Sequence, residues 1–182
     1  MNCWKTININ KHYGSQRLFF MSSLTMLLTF IIIFVPAQYL FGATSFYDNY
    51  FLLFIICLWI MYPFHKLLHY LPIAHLGNKV KKIGTMKYGL LPIIHVKVNE
   101  PIAKWKFIIA LFTPFVTINS LLILACFCFP HYVHYSTILL AFHVGICFSD
   151  FVCAKNVLSA PNHSYIEEND EGFEILLRSN YS

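Results

Sequence analysis

Residues 51–72 read FLLFIICLWIMYPFHKLLHYLP, an apolar stretch that ends in two histidines four positions apart. All but its last residue lies within an apolar segment at about 46–71, and a helix needs about 20 such residues to cross a bilayer. Backbone polar groups cannot stay unpaired in lipid, so a segment of this kind has to be helical. The stretch therefore predicts a transmembrane helix that carries His65 and His69 near one end.

Three further stretches are long and apolar enough to cross a membrane. They are residues 18–41, 105–129 and about 135–157. The composition agrees, because 58% of the residues are hydrophobic and 12% are charged, whereas soluble domains carry about 25% charged residues. The sequence predicts a mainly α-helical integral membrane protein with four transmembrane helices and no second sizeable soluble core.

The basic residues are concentrated in two of the segments that flank these stretches. Lys5, Lys11 and Arg17 precede the first stretch, and neither the first nor the third connection contains Lys or Arg. The second connection and its border carry seven lysines: Lys79, Lys81, Lys82, Lys87, Lys97, Lys104 and Lys106. Basic segments stay in the cytoplasm, so we predict that both termini are cytoplasmic. Topology and contacts with lipid headgroups then explain the net charge of +5, and nucleic acid is not an expected partner.

The second connection contains its own secondary-structure signal. Residues 79–99 read KVKKIGTMKYGLLPIIHVKVN, in which two β-leaning runs, 80–88 and 93–98, flank a glycine and a proline. This pattern predicts a small cytoplasmic β-hairpin at the membrane surface, between the second and third helices. The polar, acidic segment 161–182 predicts either a short strand at 173–177 or disorder.

His65, His69 and Asp150 form a candidate metal site. Residues four apart on a helix share one face, so two imidazoles at this spacing can bind one ion. Asp150 is the only acidic residue of the third and fourth stretches, and at 1.5 Å rise per residue its depth matches that of the histidines. Two histidines and a carboxylate are a three-ligand zinc set with an open fourth position. The alternative is hydrogen-bonded polar groups, with Asp150 paired to Lys155 or Lys66.

Five blocks of sequence, taken in order, resemble one known family. The blocks are PFHKLLHYLP, LLPIIHVKV, WKFIIALFTPF, HVGICFSDF and IEENDEGFEIL. Together they are similar to the putative zincin peptidase family of bacterial membrane proteins, once classed as a domain of unknown function. That family resembles the site-2 proteases, which cleave substrates within the membrane. The resemblance implies zinc, with His65, His69 and Asp150 as its ligands, a location in the bacterial cytoplasmic membrane, and a membrane protein as partner or substrate.

The chain departs from the family pattern at its catalytic position. The family has the motif HExxH, and Lys66 stands where the resemblance places the glutamate. That glutamate acts as the general base, whereas a lysine ammonium has no lone pair to accept a proton. Its positive charge also repels a metal cation. Two further residues are candidates for contact with the expected metal ligands rather than with the metal. They are His143, which is two helical turns before Asp150, and Glu100 in the second connection.

Three functions follow from these observations. We favour a metallopeptidase-like membrane protein that has lost peptidase chemistry and binds a partner or a membrane segment. The second is an active zinc-dependent intramembrane peptidase with a different base, and the third is a structural or transport component without metal, in which Lys66 pairs with Asp150. We divide the chain into an N-terminal cytoplasmic segment with the first helix (1–45), a zincin-peptidase-like membrane domain (46–178) and a tail (179–182), with the resemblance covering roughly residues 65–177.

Overall fold

Five α-helices dominate the computed structural model, which describes residues 2–8, 13–42, 45–73, 80–84, 94–98, 101–169 and 172–177. The helices are α1 (Ser15–Phe41), α2 (Phe51–Tyr70), α3 (Lys104–Cys128), α4 (Val133–Ile146) and α5 (Phe148–Leu158). The first three are each long and apolar enough to cross a membrane. A short 3-10 turn, Pro130–Tyr132, leads into α4. The prediction of a mainly helical chain with apolar spans is confirmed.

The fourth predicted helix, 135–157, is divided in the structure. Helices α4 and α5 meet at Cys147 with a bend of 40°, and together they are long and apolar enough for one further crossing. The backbone N–H of Cys147 donates to the carbonyl of His143, and that of Phe151 donates to the carbonyl of Cys147. The bend therefore changes the direction of the helix while keeping most of its hydrogen bonds.

The described residues also contain six strands. They are β1 (Asn2–Ile7), β2 (Val80–Gly84), β3 (Ile94–Val98), β4 (Ile102–Ala103), β5 (Ser164–Asn169) and β6 (Gly172–Leu177). Strands β2 and β3 pair in antiparallel fashion between α2 and α3, as predicted for the connecting segment. The predicted strand at 173–177 is β6. Strands β1, β6, β5 and β4, in that order, form a second, antiparallel sheet that the sequence analysis did not foresee.

The four-stranded sheet packs one face against the helices. Alternate residues of β6, Phe173 and Ile175, are buried, as expected for a strand with one covered face. They join Ile166 of β5 in a core that includes Phe107 of α3 and Val157 of α5. The sheet thus covers the end of the helical bundle where α3 begins and α5 ends. The division into segments 1–45, 46–178 and 179–182 stays a prediction, although β1 shares this sheet.

Lys104 ties those two helix ends together. It is the first residue of α3, and only 3% of its surface is exposed. Its ammonium donates hydrogen bonds to the carbonyl of Leu158 at 3.0 Å and to that of Ala160 at 2.6 Å. A helix leaves its last carbonyls without partners, and the lysine donates to the final carbonyl of α5 and to that of the buried Ala160 just after it.

We expect the Lys104→Met substitution to lower the free energy of unfolding by about 1.5–3 kcal/mol, the range for hydrogen bonds to charged groups. The matched control is Lys106→Met, because Lys106 is exposed on the same turn. Thermal unfolding of both variants in detergent checks the difference. Equal midpoints for the two variants would contradict the role of Lys104.

Candidate metal centre

Helix α2 presents His65 and His69 to the interior of the bundle. His65 has no exposed surface, and His69 is half-buried. The Nε2 atoms of the two rings are 3.1 Å apart, and the rings are nearly perpendicular at 89°. The four-residue spacing therefore brings both nitrogens to the same point, as the helical period predicts.

Helix α5 brings Asp150 to that point from the other side of the bundle. Asp150 lies in the first turn after the bend and is 7% exposed. Its Oδ2 atom is 3.0 Å from Nε2 of His65 and 3.5 Å from Nε2 of His69. The same oxygen is buried without a hydrogen-bond partner among the described residues. The structure thus brings the three predicted ligands together, and their binding of a metal stays a prediction.

The protons on His69 can be assigned from its backbone contact. Its Nδ1 lies 2.9 Å from the carbonyl oxygen of Ala110. A carbonyl oxygen only accepts, so Nδ1 carries a hydrogen and donates it. In the neutral ring, Nε2 then has a lone pair, and that lone pair faces Oδ2 of Asp150.

The three facing atoms fit a zinc ion. Zinc binds histidine nitrogen and carboxylate oxygen at about 2.0–2.2 Å, which sets tetrahedral ligand atoms about 3.3 Å apart. The separations of 3.0, 3.1 and 3.5 Å are close to this value. A lone pair and an unpartnered carboxylate oxygen repel one another unless a cation or a proton lies between them. His65, His69 and Asp150 would therefore hold the ion, with the fourth position open.

A second group of potential ligands shares His65. The side chains of His65, His143 and Cys147 also offer ligand atoms within 4.8 Å of one another, and all three are fully buried. The Sγ atom of Cys147 is 3.9 Å from Nδ1 of His65 and 3.6 Å from Nε2 of His143. The sequence analysis did not include Cys147, although its position four residues after His143 places the two on one helical face. The two groups use opposite nitrogens of the same imidazole.

His143 lies directly behind His65, as one of the predicted supporting residues. Nε2 of His143 is 3.0 Å from Nδ1 of His65, and its Nδ1 is 2.8 Å from Oδ1 of Asn119 on α3. The contact with Asn119 was not predicted. Glu100, the other predicted supporting residue, lies outside the described residues.

Lys66 lies beside the site but does not pair with its carboxylate among the described residues. The ion-pair partners of Asp150 there are the two imidazoles. The Lys66 side chain is half-buried, and its Nζ is 5.9 Å from the ring centroid of Tyr62, one turn earlier on α2. The contact between Lys66 and Asp150 that the metal-free alternative requires is therefore replaced by contacts with histidine.

A comparison with protein families shows which family the chain belongs to. A family model described as "Putative zincin peptidase" matches residues 58–165, more than half of the chain. The chain belongs to this family. The zincin peptidase match includes both histidines of α2 and Asp150, and it ends before the closing block at 166–176. No curated protein and no solved structure matches the chain. The likeness to site-2 proteases stays a prediction.

We expect His69→Ala and Asp150→Asn each to abolish stoichiometric zinc binding, because each removes one of three converging ligand atoms. The control is Cys147→Ala, which alters only the second group and should leave the zinc content unchanged. Elemental analysis of purified, dialysed protein gives the zinc content, and size-exclusion chromatography checks folding. Loss of zinc from Cys147→Ala with retention in His69→Ala would instead assign the ion to the second group.

Proposed function

We propose that the chain is a zinc-binding, membrane-embedded member of the zincin peptidase family whose peptidase chemistry is impaired. The observation that carries the proposal is a three-ligand set with fitting separations beside Lys66 in the position of the general base. When bound, zinc supplies Lewis acidity that polarises a peptide carbonyl and makes water nucleophilic at neutral pH. The residues of the chain would hold and orient the ion.

The helices offer no second carboxylate for the missing base. Asp150 is the only acidic residue in α1 to α5. If its carboxylate binds the ion, none of these helices supplies another carboxylate to take a proton from water. The protonated Lys66 cannot accept that proton, because its ammonium has no lone pair. Removal of a general base typically lowers a rate by about 10²–10⁴-fold.

The sheet supports a four-crossing topology. Strand β1 precedes α1 and pairs with β6, which follows α5, from Asn2↔Leu177 to Ile7↔Phe173. Strands β1 and β6 therefore lie on the same side of the helices between them, which supports an even number of crossings. Helices α1, α2, α3 and the bent pair α4–α5 give four. The basic connecting segment favours the cytoplasm for that side and the cell membrane as the location.

An apolar groove supports partner binding. It lies between α1, α2 and α4, has a volume of about 540 Å³, and is lined almost entirely by apolar atoms. Its lining consists of Met26, Ile55, Leu58, Trp59, Tyr62, Ile138 and Phe142. A groove of this character within membrane-spanning helices suits an apolar segment of another membrane protein. Tyr62 is one turn from His65, so such a segment would lie near the proposed metal site.

An active peptidase with another base is the second candidate. It is favoured by the complete ligand set, since three residues from two helices still meet at one point. Both candidates require bound zinc, and they differ in whether the wild-type chain cleaves peptides.

The test compares the wild-type chain with Lys66→Glu and Lys66→Gln. The substrate is a mixture of membrane-spanning peptides in detergent, and mass spectrometry detects cleavage. We expect zinc but no cleavage for the wild type, and cleavage raised at least about 100-fold for Lys66→Glu, which restores the base. Lys66→Gln removes the charge without adding a base, so it should stay inactive.

The added substitution His65→Ala in the Lys66→Glu variant must abolish any gained cleavage. Robust cleavage by the wild type that is lost in His65→Ala would establish the second candidate instead. Absence of zinc from the intact wild type and from Lys66→Glu would reject both and favour a structural or transport role.

A further inference from the structure

Three buried polar side chains from three helices form a hydrogen-bonded series that ends at the proposed metal site. We call this series, Asn119–His143–His65, the relay. Asn119 of α3 is 8% exposed, and His143 of α4 and His65 of α2 have no exposed surface. The contacts run from Asn119 Oδ1 to His143 Nδ1 at 2.8 Å and from His143 Nε2 to His65 Nδ1 at 3.0 Å. Buried polar groups between apolar helices are costly unless they are hydrogen-bonded. Each of these contacts must therefore have one donor and one acceptor.

The nitrogen that carries each proton along the relay follows from its first member, Asn119. Oδ1 of Asn119 only accepts, so Nδ1 of His143 carries the hydrogen and donates it. A neutral His143 then has a lone pair on Nε2, which accepts from Nδ1–H of His65. The neutral ring of His65 is left with a lone pair on Nε2, the atom that faces Asp150.

We propose that Asn119 and His143 are positioning residues that fix His65 in the tautomer whose Nε2 lone pair faces the metal position. His69 reaches the same state through the carbonyl of Ala110. The two imidazoles and Oδ2 of Asp150 thus present three electron pairs to one point. The metal role rests on the proposed function, whereas the proton assignment of His65 does not.

The relay prevents a competing arrangement. Without an acceptor at Nδ1, His65 can carry its proton on Nε2 and donate it to Oδ2 of Asp150, only 3.0 Å away. That hydrogen bond would satisfy the carboxylate and block the imidazole as a ligand. Partners behind a metal-binding histidine fix its tautomer and orientation, and their removal typically costs about 10–100-fold in metal affinity.

The relay also explains why His65, His143 and Cys147 lie close together, and no second ion is needed for that explanation. The separation of 3.0 Å between Nδ1 of His65 and Nε2 of His143 is that of a hydrogen bond. If that hydrogen bond is present, neither nitrogen is free to bind an ion together with Cys147. The thiol of Cys147 then packs against the two rings as a buried side chain.

The first experiment determines the tautomers in metal-free protein. Nitrogen-15 NMR of histidine-labelled chain in detergent micelles distinguishes a protonated Nδ1 from a protonated Nε2. We expect Nδ1 of His65 to be protonated in the wild type, with or without a further proton between His65, His69 and Asp150, and to lose its proton in Asn119→Leu and His143→Leu. A wild-type His65 protonated on Nε2 alone would overturn the relay.

The second experiment measures zinc affinity by competition with a chelating dye. Asn119→Leu, which is nearly isosteric, and His143→Leu should each weaken binding by about 10–100-fold. Asn119→Asp keeps the acceptor and should retain most of the affinity. Ser120→Leu is the matched control, because Ser120 is the exposed neighbour on α3, and it should bind zinc as the wild type does.

The outcomes separate the relay from the proposed function. Wild-type affinity in both leucine variants, or a second zinc ion that is lost in His143→Leu and Cys147→Ala alike, would overturn the positioning role. The expected tautomers in a protein that binds no zinc would support the relay and reject the proposed function.

Discussion

Polar side chains between apolar helices have no water to bond with, so each needs a hydrogen-bond partner within the protein. In this chain one set of contacts meets that requirement for four helices at once. His65 and His69 of α2 contact Asp150 of α5, and His143 of α4 joins His65 to Asn119 of α3. Because each of these four helices contributes a side chain, the contacts around the candidate metal centre also link α2, α3, α4 and α5 to one another. The bend at Cys147 helps to form these contacts, because Asp150 lies in the first turn of α5, just after the bend.

The sheet and the candidate centre are joined through α3. Ala110 packs in the core that the sheet covers, and its carbonyl accepts the hydrogen bond that sets the proton of His69. Lys104, two turns earlier, fixes the start of α3 to the end of α5. The strands that connect the two termini therefore also support the helices that deliver the ligands. The packing of the sheet against the helices therefore contributes to the placement of the side chains in the candidate centre.

Ligand geometry and catalytic chemistry are separable in this fold. The convergence of the two histidines and Asp150 depends on helix packing and does not involve the side chain at position 66. The proposed function follows from this separation, since the three side chains would hold zinc while Lys66 would leave the ion without a general base. The Nζ atom of Lys66 lies 5.9 Å from the ring centroid of Tyr62, so its ammonium is placed over that ring rather than paired with Asp150.

The sequence alone determined the features that depend on local periodicity and on transfer between water and lipid. Apolar length located the helices, the four-residue spacing placed His65 and His69 on one face, and β-leaning runs around a glycine and a proline located β2 and β3. Family-specific blocks identified the family. Tertiary structure decided the pairing of β1 with β6, the bend at Cys147 and the contact of His143 with Asn119 on another helix. Those features could not be predicted, because the partners of a strand edge or a buried polar atom are chosen by packing between distant segments, for which a single sequence carries no local signal.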